Sequence, residues 1–366
     1  MPLGKCALLR CLVMSLVLGG CALVHAQDEP DLPPRTVPPP VTEQPQPAQP
    51  TQQPNAQPGV QGQGQAPANQ PSITAEPNEE AGRFVFKKEV EEVVLHATVT
   101  DPAGRLVTQL DRNAFSISQN GIPQVITSFR REDIPVAIGI LIDNSGSMRD
   151  KRTKVNNAVM NLIRASNSAD EIFVVNFGQT PYLDQDFTSD PHLLEAALHQ
   201  TSARGTTALY DAVVASAVHL QNNPRLQKKV LLVVTDGQDN MSRETLQEAI
   251  RRLQPNRGLT VYAIGLTDEG FTRKAHDALY DLAVTTGGVA YFPQDLEEVD
   301  NITRTVAHDI RSQYTLAFRP ANPNASRDYL SLKVEAHAQG YGHLTVRTRA
   351  GYFPGESKLP AQNSSK

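Results

Sequence analysis

Ile140-Leu141-Ile142-Asp143-Asn144-Ser145-Gly146-Ser147-Met148 is the run on which the reading of this chain turns. An apolar stretch ends abruptly in an acid, and two hydroxyls follow at alternating positions. Asp143, Ser145 and Ser147 on one tight turn can all aim at a single hard cation. Oxygen donors of this kind suit Mg²⁺, Mn²⁺ or Ca²⁺ rather than zinc. So short a pattern is weak by itself, and its surroundings decide what it means.

Working outward, residues 134–142 are continuously apolar, the mark of a strand buried on both faces of a parallel sheet. Residues 171–177, 229–235 and 259–264 read as further buried strands, and 289–292 as a short one. Helical patterning falls at 155–165, 192–199, 208–220, 244–253, 274–283 and 297–310. Strands alternating with helices predict a doubly wound, mostly parallel α/β sheet across 132–311, an ordinary domain size.

The flanks read differently. Within 82–131, residues 84–100 alternate as a strand, and Asp101-Pro102-Ala103-Gly104 is a turn. Residues 115–118 and 125–129 predict a hairpin around Asn120-Gly121. Within 312–354, strands are predicted at 314–318, 329–336 and 344–350. Neither piece can bury a comfortable core alone. The two are therefore expected to pair into one flanking β-sandwich, with the α/β domain inserted between them.

The N-terminal 26 residues have the pattern of a signal peptide. Lys5 and Arg10 precede and adjoin an apolar run at 11–18, and Val24-His25-Ala26 stands before Gln27. That run is shorter than the ~20 apolar residues of a spanning helix, so no transmembrane span is expected after leader removal. Leu18-Gly19-Gly20-Cys21 also resembles a bacterial lipobox, which makes a lipid anchor at Cys21 the alternative to cleavage after Ala26. Either route points to a secreted, periplasmic or cell-envelope location. Residues 27–81 are rich in Pro and Gln and predict an extended, disordered spacer, and 355–366 a disordered tail.

All 3 cysteines lie in this leader, so a chain cut after Ala26 has neither a disulfide framework nor a thiolate metal site. The formal net charge is −5, and setting aside the leader's two basic residues leaves −7. That balance weighs against a nucleic-acid partner, which usually meets a basic stripe.

Ligands of open α/β sheets bind beyond the carboxyl ends of the strands, near the switch point. Asp143 closes the first strand, and Asp236 closes the third in Val234-Thr235-Asp236-Gly237. Between them Gly205-Thr206-Thr207-Ala208-Leu209-Tyr210-Asp211 is a Gly-led loop opening a helix. Three loops thus bring Asp143, Ser145, Ser147, Thr207 and Asp236 to one sheet edge.

With these motifs in this order and spacing, the chain resembles the von Willebrand factor type A family, which includes the integrin I domains. The resemblance covers about 134–311. The flanks, with Phe115-Ser116-Ile117-Ser118-Gln119-Asn120-Gly121 and Gly351-Tyr352-Phe353, look similar to a group of secreted bacterial proteins carrying this domain. In that family the two serines and the threonine contact a divalent ion, and the aspartates act directly or through water. An acidic side chain of a partner protein fills the last position. The resemblance implies a metal-ion-dependent adhesion site (MIDAS) at Asp143, Ser145, Ser147, Thr207 and Asp236, holding one Mg²⁺ (or Mn²⁺ or Ca²⁺). Two carboxylates and three neutral hydroxyls leave such an ion near neutral and under-coordinated, open to water or an incoming carboxylate.

Other polar residues are expected to be structural. Asp211 reads as helix surface, Asp239 as turn, and Asp184-x-Asp186 with Asp190 as a solvated loop. His192 and His199 read as surface helix positions. There is no HExxH, GxSxG or P-loop, so hydrolase and nucleotide sites find no support. The expectation is a metal-dependent, adhesion-type protein-binding module and not an enzyme. The alternatives are an envelope scaffold with a structural metal and a metal-assisted hydrolase.

Overall fold

The computed structural model describes residues 92–131, 133–199, 203, 205–223, 225–254, 258–267, 270–320 and 328–354. The expected leader, Cys21, the Pro/Gln-rich segment, residues 84–91 of the first predicted strand, and the tail at 355–366 lie outside the described residues. The elements below belong to one compact unit, Arg83–Lys366.

Four strands come first: β1 (Val93–Thr100), β2 (Phe115–Gln119), β3 (Ile122–Gln124) and β4 (Ile126–Arg130). The α/β unit opens with β5 (Val136–Asp143), α1 (Arg152–Arg164), β6 (Glu171–Phe177) and β7 (Pro181–Thr188). It continues through α2 (Pro191–His199), α3 (Leu209–Asn222), β8 (Lys228–Thr235) and α4 (Leu246–Leu253). Next come β9 (Leu259–Gly265), α5 (Arg273–Val284), β10 (Ala290–Tyr291) and α6 (Glu298–Arg311). The chain then returns to β structure in β11 (Tyr314–Phe318), β12 (Leu330–Ala336), β13 (Thr345–Arg347) and β14 (Gly351–Tyr352).

The central sheet has the order β10-β9-β8-β5-β6-β7. Its pairings are parallel except β6 with β7. All eight residues of β5 are buried. Val136, Ile138, Ile140 and Ile142 face a core completed by α1, α2 and α6. Ala137 and Leu141 face the opposite core, formed with α3, α4 and α5. Gly139 fits because a Cβ there would collide with the Phe173 and Leu231 side chains. Helix starts are set locally: Thr245 and Glu248 cap α4 reciprocally, and the Thr272 hydroxyl accepts the Ala275 N–H of α5. The chain leaves β5 to one side through β6 and returns to the other through β8. The carboxyl end of β5 therefore sits at the switch point.

The flanking strands form two antiparallel sheets, β13-β1-β11-β4 and β14-β12-β2-β3. Each mixes strands from before and after the α/β unit, with β1 on β11 and β12 on β2. One apolar core lies between them, including Leu95, Ile117, Phe318 and Val334. Two sequence expectations need correction. The Asn120-Gly121 turn does make a hairpin, with both residues at positive φ (48° and 78°). Its second strand is β3, however; the 125–129 segment leaves at exposed Val125 and joins the other sheet as β4 on β11. Strand β4 thus buries Ile126 between the sheets. Residues 184 and 186 lie not in a loop but on the antiparallel edge strand β7, whose Asp184 accepts the Asn176 N–H (3.1 Å) and side-chain amide (2.8 Å).

Sandwich and α/β unit meet at a buried polar junction. Asp309 of α6 accepts hydrogen bonds from Thr98 of β1 (2.8 Å), Tyr262 of β9 (2.7 Å) and Arg347 of β13. Removing that carboxylate leaves two buried hydroxyls without their acceptor and takes one partner from half-buried Arg347. Asp309→Ala should cost about 2–4 kcal/mol in denaturant unfolding, because orphaned buried polar groups carry their full desolvation penalty.

His96 of β1 lies in the same region, with Nδ1 3.2 Å from the Thr315 hydroxyl. Burial, with the charges of Lys228 and Arg349 adding to it, lowers its pKa from 6.5 to about 3. The folded state therefore keeps His96 neutral where the unfolded chain protonates it. Its contribution is intact above pH 6.5 and is lost progressively as pH falls toward about 3. Melting temperature measured across that window should fall less steeply in His96→Gln than in the parent chain.

Candidate metal centre

The site begins with two adjacent strands. Ile142 of β5 pairs with Val234 of β8, so Asp143 and Thr235 emerge side by side. Asp143 is fully buried. Its Oδ1 accepts the Ser145 N–H (2.7 Å) and its Oδ2 the Thr235 hydroxyl (2.5 Å). Burial pushes its pKa up from 3.8 to about 6; the Thr235 and Ser145 hydrogen bonds oppose the rise and nearby Asp236 adds to it.

After Asp143 the chain turns through a short 3-10 segment, Gly146–Met148, held down by fully buried Met148. The Ser145 and Ser147 hydroxyls lie 3.1 Å apart, and Ser147 donates to Asp236 Oδ1 (2.8 Å). The third loop enters through Gly205, at φ 89°, where a side chain would be strained. Thr206 then points to solvent and Thr207 is buried. Asn240 clamps Thr207: its side-chain oxygen accepts the Thr207 N–H (2.9 Å) and its own N–H donates to the Thr207 carbonyl (3.0 Å).

Gly237 supplies room at the centre. A Cβ there would stand 3.5 Å from Thr207 Oγ1 and 4.0 Å from Asp143 Oδ2, so these two oxygens flank one small space. Ser145, Ser147, Thr207 and Asp236 line a cleft of about 590 Å³, with Gly205 and Gly237 between them. Asp143 is not part of that lining and sits beneath it. The structure thus brings all five sequence-predicted residues to one place, with Asp143 one layer deeper than the others. The donor set suits a hard divalent ion: oxygens only, most of them neutral, with carboxylate charge close by. Among the described residues no group of three or more His, Cys, Asp or Glu side chains is placed to hold a metal. A hydroxyl-rich site is of another kind.

Asp211 and Asp239 hold backbone instead of facing the cleft. Asp239 accepts the Tyr210 N–H (3.1 Å), and Asp211 accepts those of Arg243 (3.0 Å) and Glu244 (2.9 Å), which ties the loop after β8 to α3. His192 and His199 are exposed on α2.

Three contributors escaped the sequence reading: Lys151, Arg152 and Asn240. Lys151 pairs with Asp236 Oδ2, and the Asp236 side chain is fully buried. Arg152 is buried beneath the turn. It donates to the Asp143 carbonyl (3.2 Å), Asn176 Oδ1 (2.8 Å) and the Leu198 carbonyl (3.2 Å). Its signal was available in principle, since Arg152, Val155, Asn156 and Val159 share one buried helix face. Arg152→Ala should destabilise the fold by about 2–4 kcal/mol, through loss of a fork of buried hydrogen bonds. Arg152→Lys should recover only part, because an ammonium cannot reproduce the planar fork. Urea unfolding of both variants measures this.

Residues 138–238 match the sequence model of the von Willebrand factor type A domain, and the chain carries a domain of that type. Among solved structures, a von Willebrand factor type A protein from Catenulispora acidiphila aligns over 74% of this chain and 76% of its own, at 15% identity and TM-score 0.41. Proximal thread matrix protein 1 from the mussel byssus, in a form with a zinc-occupied MIDAS motif, aligns over 53% of this chain at 18% identity and TM-score 0.44. That match spans 50% of the mussel protein's length. The conserved hypothetical protein BatB from Bacteroides thetaiotaomicron aligns along 100% of its length with 48% of this chain, at 16% identity and TM-score 0.40. No curated protein sequence matches the chain.

Proposed function

Taking residues 138–238 as a von Willebrand factor type A domain, we propose that this chain is a divalent-ion-dependent protein-binding module, secreted or held in the cell envelope. One Mg²⁺ (or Mn²⁺ or Ca²⁺) is held by the hydroxyls of Ser145, Ser147 and Thr207 together with Asp236. Asp143, buried beneath the cleft, would support it directly or through water. An acidic side chain of a protein partner completes the coordination. The observation that carries this reading is the convergence of three hydroxyls and one carboxylate on a single cleft at the switch point, with a second carboxylate buried underneath.

The ion acts as glue in this reading, and water activation is the weaker use of the site. A hydrolase needs a positioned base beside the metal. Among the described residues, the carboxylate lining the cleft is Asp236, already engaged by Ser147 and Lys151. The leader-like residues 1–26, followed by a Pro/Gln-rich spacer at 27–81, support a location outside the cytoplasm, by cleavage after Ala26 or lipidation at Cys21. No helix of the described residues is long and apolar enough to cross a membrane.

Calorimetric titration with Mg²⁺ tests the site. The parent chain should bind one ion, and Asp143→Ala should lose that binding while keeping its circular dichroism spectrum. Asp143→Asn, which preserves the side-chain shape, guards against a folding defect in the alanine variant. Unchanged Mg²⁺ affinity in both variants rules the assignment out. Chelation separates adhesion from scaffolding. An adhesive module loses its partner but keeps its melting temperature within a few degrees, whereas a structural metal takes the fold with it.

A further inference from the structure

Lys151 gives this site a property that its five oxygen-bearing side chains do not. Its backbone is fixed at the start of α1: the Lys151 N–H donates to the Met148 carbonyl (3.0 Å) and its carbonyl accepts the Val155 N–H (3.1 Å). From there the side chain reaches back over the Gly146–Met148 turn and sets its ammonium on Asp236 Oδ2. The other oxygen of the same carboxylate accepts the Ser147 hydroxyl (2.8 Å). Both Asp236 oxygens are therefore engaged from within the chain. The Lys151 side chain is 15% exposed and that of Asp236 0%, so solvent screens the pair little.

We infer that Lys151 is a tethered counter-cation of the metal site, competing with the divalent ion for Asp236 and lowering the affinity of the cleft for that ion. The inference rests on the proposed reading of the cleft as an ion site. Its physics is charge balance. Asp143 and Asp236 alone would just neutralise a divalent ion; Lys151 places a further positive charge on the same Asp236 carboxylate, so ion and ammonium compete for it. An ammonium also holds the carboxylate in position with no ion bound, sparing the cleft a buried unpaired charge. A site built this way holds its ion loosely alone, and gains when an acidic ligand brings a further negative charge to the ion and the freed ammonium. Ion binding and ligand binding are thereby coupled.

The test is Mg²⁺ titration by calorimetry of the full chain and of Lys151→Met and Lys151→Arg, with melting curves for each in Mg²⁺ and in chelator. Removing one positive charge in contact with the ion-binding carboxylate should tighten Mg²⁺ binding by about tenfold in Lys151→Met. Lys151→Arg, which keeps the charge, should stay near the parent value. In chelator Lys151→Met should melt below the parent, and Mg²⁺ should raise its melting temperature by more than it raises the parent's. Equal or weaker Mg²⁺ affinity in Lys151→Met overturns the inference and leaves the ion site standing. An equal loss of melting temperature with and without Mg²⁺ marks Lys151 as a structural brace and also overturns it. A parent chain that binds no Mg²⁺ removes the ion-site reading and this inference with it.

Discussion

The complete burial of β5 is the constraint from which the rest follows. With β6 on one side, β8 on the other and helices over both faces, none of its eight residues reaches solvent. An apolar strand satisfies that environment until its last position, where the chain carries an acid. Asp143 is then a carboxylate at the end of a dry sheet, and it is tolerated because its oxygens accept from the Thr235 hydroxyl and the Ser145 N–H. Those two hydrogen bonds also set the direction of the turn that follows. Ser147 reaches Asp236, with the Ser145 hydroxyl beside it, along a path that begins at the Asp143 hydrogen bonds.

Charge at this end of the sheet is managed from two sides. Arg152 supports the turn from beneath, through the Asp143 carbonyl and Asn176, while Lys151 approaches Asp236 from the start of the same helix. Adjacent residues thus serve the two aspartates separately. At the other end of the unit, Asp309 joins β1 and β13 of the sandwich to β9 and α6 of the α/β domain. Sandwich and domain therefore meet through buried, mutually dependent hydrogen bonds, and the cleft stands on a frame that includes both.

Much of this was legible in the residues. The run at 134–142 has the continuous apolar character of a strand covered on both faces, and the alternation of strand and helix patterns after it is that of a wound sheet. Asp143 and Asp236 were readable as site residues because each directly ends or follows such a run. Other features were not readable. The 181–188 stretch is polar enough to pass for a loop, yet it pairs as an edge strand, where one face and one edge remain in water. The Asn120-Gly121 turn announced a hairpin, but nothing local revealed that the chain changes sheets at Val125. Register across a sandwich is decided by which side chains fill the space between the sheets, and those come from residues some two hundred positions apart.

By itself, then, the sequence determined the alternation of buried strands and helices in the α/β unit and the identity of the oxygen-bearing side chains, since periodicity and turn chemistry act over a few neighbouring residues. Only the tertiary structure decided that Asp143 lies one layer deeper than the other four residues, and that Lys151 sits on Asp236. Each depends on how far apart separate loops come to rest. That spacing is set by the packing of β5 against β6 and β8, and no local run of residues encodes it.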